Sequence, residues 1–225
     1  MSQRLGFALS LALLAAGCEG ASNAEAPGDQ DQPPGQTIDF DGLTAGQPPA
    51  GFTTGLTGGG GPVRWVVRED PGGGKVLAQE SPDATDFRYP LCVYDGFEAR
   101  DMSVSCRYLA QSGEVDQVGG VMVRYQDPRN YYVARANALE DNVRLYRVVD
   151  GERRQFAGER LDVAPKAWHE LRLDVRGSTF SVWLDGKFLF TAEDSTIQGP
   201  GKVGLWTKSD SVTWFDELRF ADLGP

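Results

Sequence analysis

From Thr37 to Leu223 apolar and polar residues alternate with a period of two, and no segment sustains a helical apolar repeat for three turns. The alternation is sharpest from Gly119 to Val149. With Asp127-Pro128-Arg129-Asn130 as a four-residue loop, Arg124 faces Val133, and one face collects Val121, Val123, Tyr125, Tyr132, Ala134 and Ala136. A one-residue slip would mix Arg135 into that face, so burial selects the register. The loop Ala138-Leu139-Glu140-Asp141 then sets Asn137 opposite Asn142 and Arg135 opposite Arg144. Asp150-Gly151 is a two-residue hairpin signal that places Val149 opposite Glu152. The prediction is a four-strand antiparallel meander with one apolar and one polar face.

Further strands are predicted at Val63 to Val67, Lys75 to Gln79, around Cys92 and Cys106, and from Trp168 to Arg176. Phe180 to Leu184 and Lys187 to Thr191 flank Asp185-Gly186, and Lys202 to Lys208 and Val212 to Phe220 finish the chain. About a dozen short strands in roughly 190 residues predict an all-β, two-sheet antiparallel sandwich forming one domain.

The first residues read as an address. Arg4 precedes an apolar run from Leu5 to Leu14, too short to cross a bilayer, and Leu14-Ala15-Ala16-Gly17-Cys18 follows. This segment resembles a bacterial lipoprotein signal, with Ala15 where a leucine is usual. The resemblance implies removal of residues 1–17, acylation of Cys18 and anchoring of an exported protein in a lipid bilayer. Glu19 after that cysteine, in place of the Asp associated with inner-membrane retention, favours the outer membrane. Residues 18–36 carry no large apolar side chain and are expected to form a flexible tether. The folded domain is then expected to span 37–223. Cys92 and Cys106 remain as a candidate disulfide or as two buried thiols.

Charge and histidine content narrow the chemistry. With 22 basic against 32 acidic residues the chain carries −10, which excludes sequence-independent nucleic-acid binding. A single histidine rules out a multi-histidine metal centre and argues against a histidine-dependent triad.

Gly119-Gly120-Val121-Met122-Val123-Arg124-Tyr125, Asn130-Tyr131-Tyr132, Asn142-Val143-Arg144-Leu145-Tyr146, Val182-Trp183-Leu184-Asp185-Gly186 and Gly201-Lys202-Val203-Gly204-Leu205-Trp206 together resemble the concanavalin A-like lectin/glucanase superfamily. More narrowly, they are similar to laminin-G-like modules of the 3-keto-disaccharide hydrolase kind, related to family 16 glycosidases. The resemblance covers roughly residues 95–221 and implies a jelly roll. Such folds host lectins, glycosidases and structural modules alike. Family 16 enzymes carry Glu-x-Asp-x-x-Glu on one strand. Here Glu114-Val115-Asp116 begins that pattern and Val118 and Gly119 stand where it should end, so no catalytic residue is assigned.

The candidate ligand site is the polar face of the meander, where Arg124, Arg135 and Arg144 share a side with Asn137, Asn142, Tyr146, Arg153 and Gln155. Like charges directly across a sheet are unfavourable, so the Arg135/Arg144 pair needs a reason. One reading is recognition of a glycan or other polyol, with arginine forks suited to an anionic group. The other is an ion-pair network with acids such as Glu170 and Asp174 on the same sheet. Trp183 and Trp206 are candidate stacking platforms for a sugar ring. Asp39, Asp41 and Asp216 are the candidate ligands for a structural calcium ion. His169 aligns with Leu171 and Leu173 and is expected to pack. The expected function is a carbohydrate-binding module, with a glycoside-degrading enzyme and a structural or adhesion module as the alternatives.

Overall fold

A computed structural model describes residues 32–224; the expected export signal, Cys18 and most of the expected tether lie outside the described residues. Fifteen strands occur among the described residues, and every pairing is antiparallel. The eight-stranded sheet runs β13 (Lys187–Glu193), β12 (Thr179–Leu184), β11 (His169–Arg176), β6 (Met102–Ser112), β15 (Val212–Asp222), β4 (Lys75–Gln79) and β3 (Trp65–Glu69). Its remaining strand, β1 (Gln36–Ile38), also pairs with β15, so Gln36 at the end of the expected tether already belongs to the sheet. The seven-stranded sheet runs β10 (Glu152–Arg160), β9 (Asn142–Val149), β8 (Asn130–Asn137), β7 (Val118–Asp127), β14 (Gly201–Trp206), β5 (Arg88–Ala99) and β2 (Phe52–Gly58).

The meander β7–β10 forms, with Asn137 opposite Asn142, Arg135 opposite Arg144 and Val149 opposite Glu152 as expected, but β7 and β8 pair two residues out of the expected register, with Met122 and not Arg124 facing Val133. Asp150 and Gly151 take φ 52° and 83°, the left-handed pair a tight hairpin turn requires. Between the sheets lies the main core, to which the meander contributes Val121, Val123, Tyr132, Ala134, Ala136, Val143 and Leu145.

Two expectations fail here. The opposite face of the meander is not simply polar. Tyr131, Val133, Tyr146 and Val148 join Leu91, Met122, Tyr89 and Trp206 in a second buried cluster on the outside of the seven-stranded sheet. Arg124 also leaves the polar face. The β7–β8 register shifts between Val123 and Asp127, and Arg124 takes φ 48°, the mark of a bulge. That bulge sends the Arg124 guanidinium to the core side, 5.9 Å from the Phe180 ring, and turns Tyr125 outward against Tyr131.

Cys92 and Cys106 are free, buried thiols and form no disulfide. The chain passes from the seven-stranded sheet to the eight-stranded one between β5 and β6, so the two cysteines enter the core from opposite sheets. Packed sheets stand about 10 Å apart, whereas a disulfide needs Cα atoms within about 7 Å.

Candidate functional site

The outer face of the seven-stranded sheet holds most of the residues singled out by the sequence. Arg135 and Asn137 on β8 and Asn142, Arg144 and Tyr146 on β9 share that face. Burial acts on them unequally. Arg135 is 3% exposed, and Asn137 and Asn142 are as deeply buried, whereas Arg144 bonds Gln155 at the surface. Arg135 is neutralised from the β8–β9 loop: it donates to Glu140 (2.7 Å), Asn142 (2.6 Å) and the Tyr146 hydroxyl (3.2 Å). Glu170 and Asp174, the acids expected to balance these arginines, lie instead on β11 of the opposite sheet, so their pairs there are with Arg219 and Arg172.

Beside this group sits a second ion pair. Asp116, 1% exposed, accepts from Lys208 (2.5 Å) and from Asn137 (2.9 Å). The loop carrying Asp116 is fixed by Asp210, whose carboxylate accepts the backbone N–H groups of Glu114, Val115 and Asp116. Burial raises the Asp210 carboxyl, but these three donors outweigh it and hold the group below the ordinary carboxylate value. At Asp116 burial wins over Lys208 and the carboxyl titrates above its usual value. At Glu140 burial also pulls upward, yet the Arg135 guanidinium prevails and the carboxyl sits low.

Arg153 on the edge strand β10 reaches across the sheet towards β5. Its guanidinium lies 4.3 Å from the Tyr146 ring, 4.6 Å from Tyr89 and 5.6 Å from Trp206. β10 and β5 are five strands apart, about 24 Å in a flat sheet. Contact between Arg153 and Tyr89 therefore requires a strongly concave face. Tyr89 and Trp206 stack at 5.3 Å, and the Trp206 Nε1 donates to the Tyr131 hydroxyl.

A cavity of about 350 Å³ opens above this layer, lined by Gly58, Phe87, Tyr89, Gly151, Glu152, Arg153 and Arg154. That volume is at the lower end of small-molecule sites. Phe87 is 67% exposed on the cavity wall and holds φ 53°, an unusual backbone for a bulky residue. The neighbouring strand end passes so close that a Cβ at Gly58 would lie 1.6 Å from the Phe87 carbonyl oxygen. Only glycine fits there, at φ 86°. The fully buried Arg88 ties the surrounding loops by donating to the carbonyls of Pro62 and Ser209 and to the Ser81 hydroxyl.

The other candidates lie elsewhere. Arg124 donates to the carbonyls of Arg100, Ile197 and Gly177 and to Asp101, closing one end of the sandwich. Trp183 is on the outer face of the opposite sheet, 2% exposed beneath Arg172, and Trp206 is fully buried beneath Arg153. Neither is an open stacking surface. The Asp41 backbone N–H donates to Asp39 and the Asp41 charge reaches Asp216, but no group of three His, Cys, Asp or Glu placed to hold a metal occurs among the described residues. Asp41 accepts from the Lys75 backbone, while Asp216 lies beside Arg107 and Glu217 on β15. His169 packs as expected, with its ring nitrogens facing Asp185 (2.7 Å) and the Ala164 carbonyl (2.9 Å).

Phe87 and Tyr89 were not singled out by the sequence reading. Their signal is the alternation Phe87, Tyr89, Leu91, Val93, which continues the outer face into β5 once β5 is known to pair with β14.

Among solved structures, the carbohydrate-binding module CBM66 from Bacillus subtilis superposes with a TM-score of 0.62 at 19% identity, over 76% of this chain and 96% of that one. The shared fold is a two-sheet antiparallel jelly-roll sandwich. A Bacillus licheniformis β-glucanase aligns on the jelly roll with a TM-score of 0.53 and 13% identity, over 84% and 99% of the two chains. A xylan β-1,4-xylosidase from Bacillus halodurans aligns at 0.57 and 13%, over 88% of this chain and 41% of its own. No model of a known protein family matches the sequence, and no curated protein matches it.

Proposed function

We propose that the protein binds carbohydrate in the concave outer face of its seven-stranded sheet. The observation that carries this reading is the cavity walled by exposed Phe87 and floored by Arg153 on its aromatic bed, beside the buried Arg135–Glu140–Asn142 cluster. An aromatic ring at the wall offers a flat surface to the apolar face of a pyranose, and the adjacent polar groups address its hydroxyls. The likeness to a carbohydrate-binding module and to two glycan-degrading enzymes supports the reading through the shared fold. A glycan-array screen of the wild type and Phe87→Ala tests it. We expect a binder whose affinity falls about tenfold in the variant with unchanged thermal stability. Absence of any binder abandons the reading and leaves a structural or adhesion module.

A second reading is a glycoside-degrading enzyme of the 3-keto-disaccharide hydrolase type. It draws on Asp116 and Glu140, two carboxyls of the same face that titrate in opposite directions. Both are already engaged by cations, Lys208 and Arg135, which makes binding the better reading. Release of reducing sugar that disappears in Glu140→Gln would reverse that preference.

From the N-terminal sequence we further propose export and acylation at Cys18, with the jelly roll held on the outer membrane. Palmitate labelling and membrane fractionation of the wild type and Cys18→Ser test this. Label in the soluble fraction only, or equal labelling of the variant, overturns it.

A further inference from the structure

We infer that the ligand of this face is an acidic sugar whose single carboxylate is held by the fork of Arg153. The inference rests on the carbohydrate-binding reading and names the chemical class that reading leaves open.

Most cations of this face are spoken for. Lys208 is paired with Asp116, Arg135 with Glu140, and Arg144 donates to the Gln155 side chain. Arg153 has neither a hydrogen bond nor an ion pair among the described residues, and its Nη1 is a buried donor without an acceptor. The Nε of Arg135, reached across Tyr146, is another. Two buried guanidinium donors without acceptors, flanking one tyrosine ring, are costly unless something arrives to accept from them. The Arg153 guanidinium is held against the rings of Tyr89, Tyr146 and Trp206, none of which offers it a lone-pair acceptor. Its in-plane N–H edge remains for a ligand in the adjoining cavity. A carboxylate accepts from such an edge with two oxygens at once, a match that a neutral hydroxyl cannot reproduce.

The charge of the whole protein limits the ligand further. A chain carrying −10 repels a polyanion at long range, so recognition of one acidic residue in an otherwise neutral glycan suits it better than recognition of a uniformly charged polymer.

The test uses the whole chain and disaccharides terminated by glucuronate, galacturonate or mannuronate, each beside its methyl ester and its neutral parent. Binding is followed by calorimetry. We expect at least one acid to bind about tenfold more tightly than its ester. Arg153→Met should bring acid and ester within about twofold, the acid losing far more affinity than the ester. Arg153→Lys, which keeps the charge but not the fork, should fall between. Equal binding of acid and ester to the wild type overturns the inference, as does a preference that survives in Arg153→Met. Binding of neutral glycans alone sinks the inference and leaves the carbohydrate reading standing. Failure of the acids, the esters and every glycan of the array sinks both.

Discussion

The outer faces of the two sheets are built from similar residues and finished differently. On the eight-stranded sheet, Arg172 pairs with Asp174, Arg107 with Asp216 and Glu217, Arg219 with Glu217, and Arg68 with Glu80, mostly at partly exposed positions. Each cation finds an acid on its own or a neighbouring strand. The outer face of the seven-stranded sheet curls inward and buries a second apolar cluster, and there two guanidinium donors without acceptors, Arg153 Nη1 and Arg135 Nε, persist beside that cluster. The lesson is that curvature, more than composition, decides whether the charges of a sheet face neutralise one another near water or are left buried with donors unpaired. Charges at partly exposed positions settle in water, while burial strips water from donors and leaves them costly unless an acceptor meets them.

The largest expected contrast is mechanical. Trp206 is fully buried and stacked on Tyr89, so Trp206→Ala should cost about 3–5 kcal/mol of stability, measured by urea unfolding. A cost below about 1 kcal/mol would mean that the outer cluster is not a second core. Next comes Lys208→Met, which leaves the buried Asp116 carboxylate with Asn137 alone and should cost about 3 kcal/mol at neutral pH. Its pH dependence has a definite sign. Burial raises the folded Asp116 carboxyl above 3.8, so the stability associated with its protonated form is present below that value and lost as pH rises through the folded titration. Without the ammonium the loss should steepen. Parallel stability curves for variant and wild type between acid and neutral pH would remove Asp116 from the account.

The meander's registers at Arg135/Arg144 and Asn137/Asn142 were legible because one face is apolar and Asp150-Gly151 admits one kind of turn. Arg124 was not, since a bulge is an insertion of one residue that alternation alone cannot locate. β2 escaped for a related reason: Gly55 and Gly58 and an exposed edge leave Phe52–Gly58 without a clear alternation. Arg135, Asn137 and Asn142 were placed correctly on the outer face, yet neither their burial nor the meeting of Arg153 with Tyr89 follows from local pattern. Both depend on how far the sheet bends, which is a property of all seven strands together.

The eight-stranded sheet supplies the smaller effects. His169 is the only histidine, and its hydrogen bond to Asp185 raises its pKa above 6.5. Stability from that pair is therefore complete below 6.5 and declines as pH rises through the folded titration of the ring. Asp185 is half exposed, so the decline should be less than about 1 kcal/mol, and Asp185→Asn should flatten it. An unchanged slope in that variant would assign the titration elsewhere.

The smallest effect is the one that most directly tests the comparison. Glu217 bridges Arg107 and Arg219 on the outer face of the eight-stranded sheet, with side chains 28–42% exposed. Water already solvates all three, so Glu217→Gln should change stability by no more than about 0.5 kcal/mol and leave any glycan affinity untouched. The same substitution at Glu140 removes the acid partner of Arg135, a side chain only 4% exposed, and should cost several times more. Equal costs at the two positions would show that burial on the concave face does not strengthen its ion pairs, and the distinction between the two faces would fail.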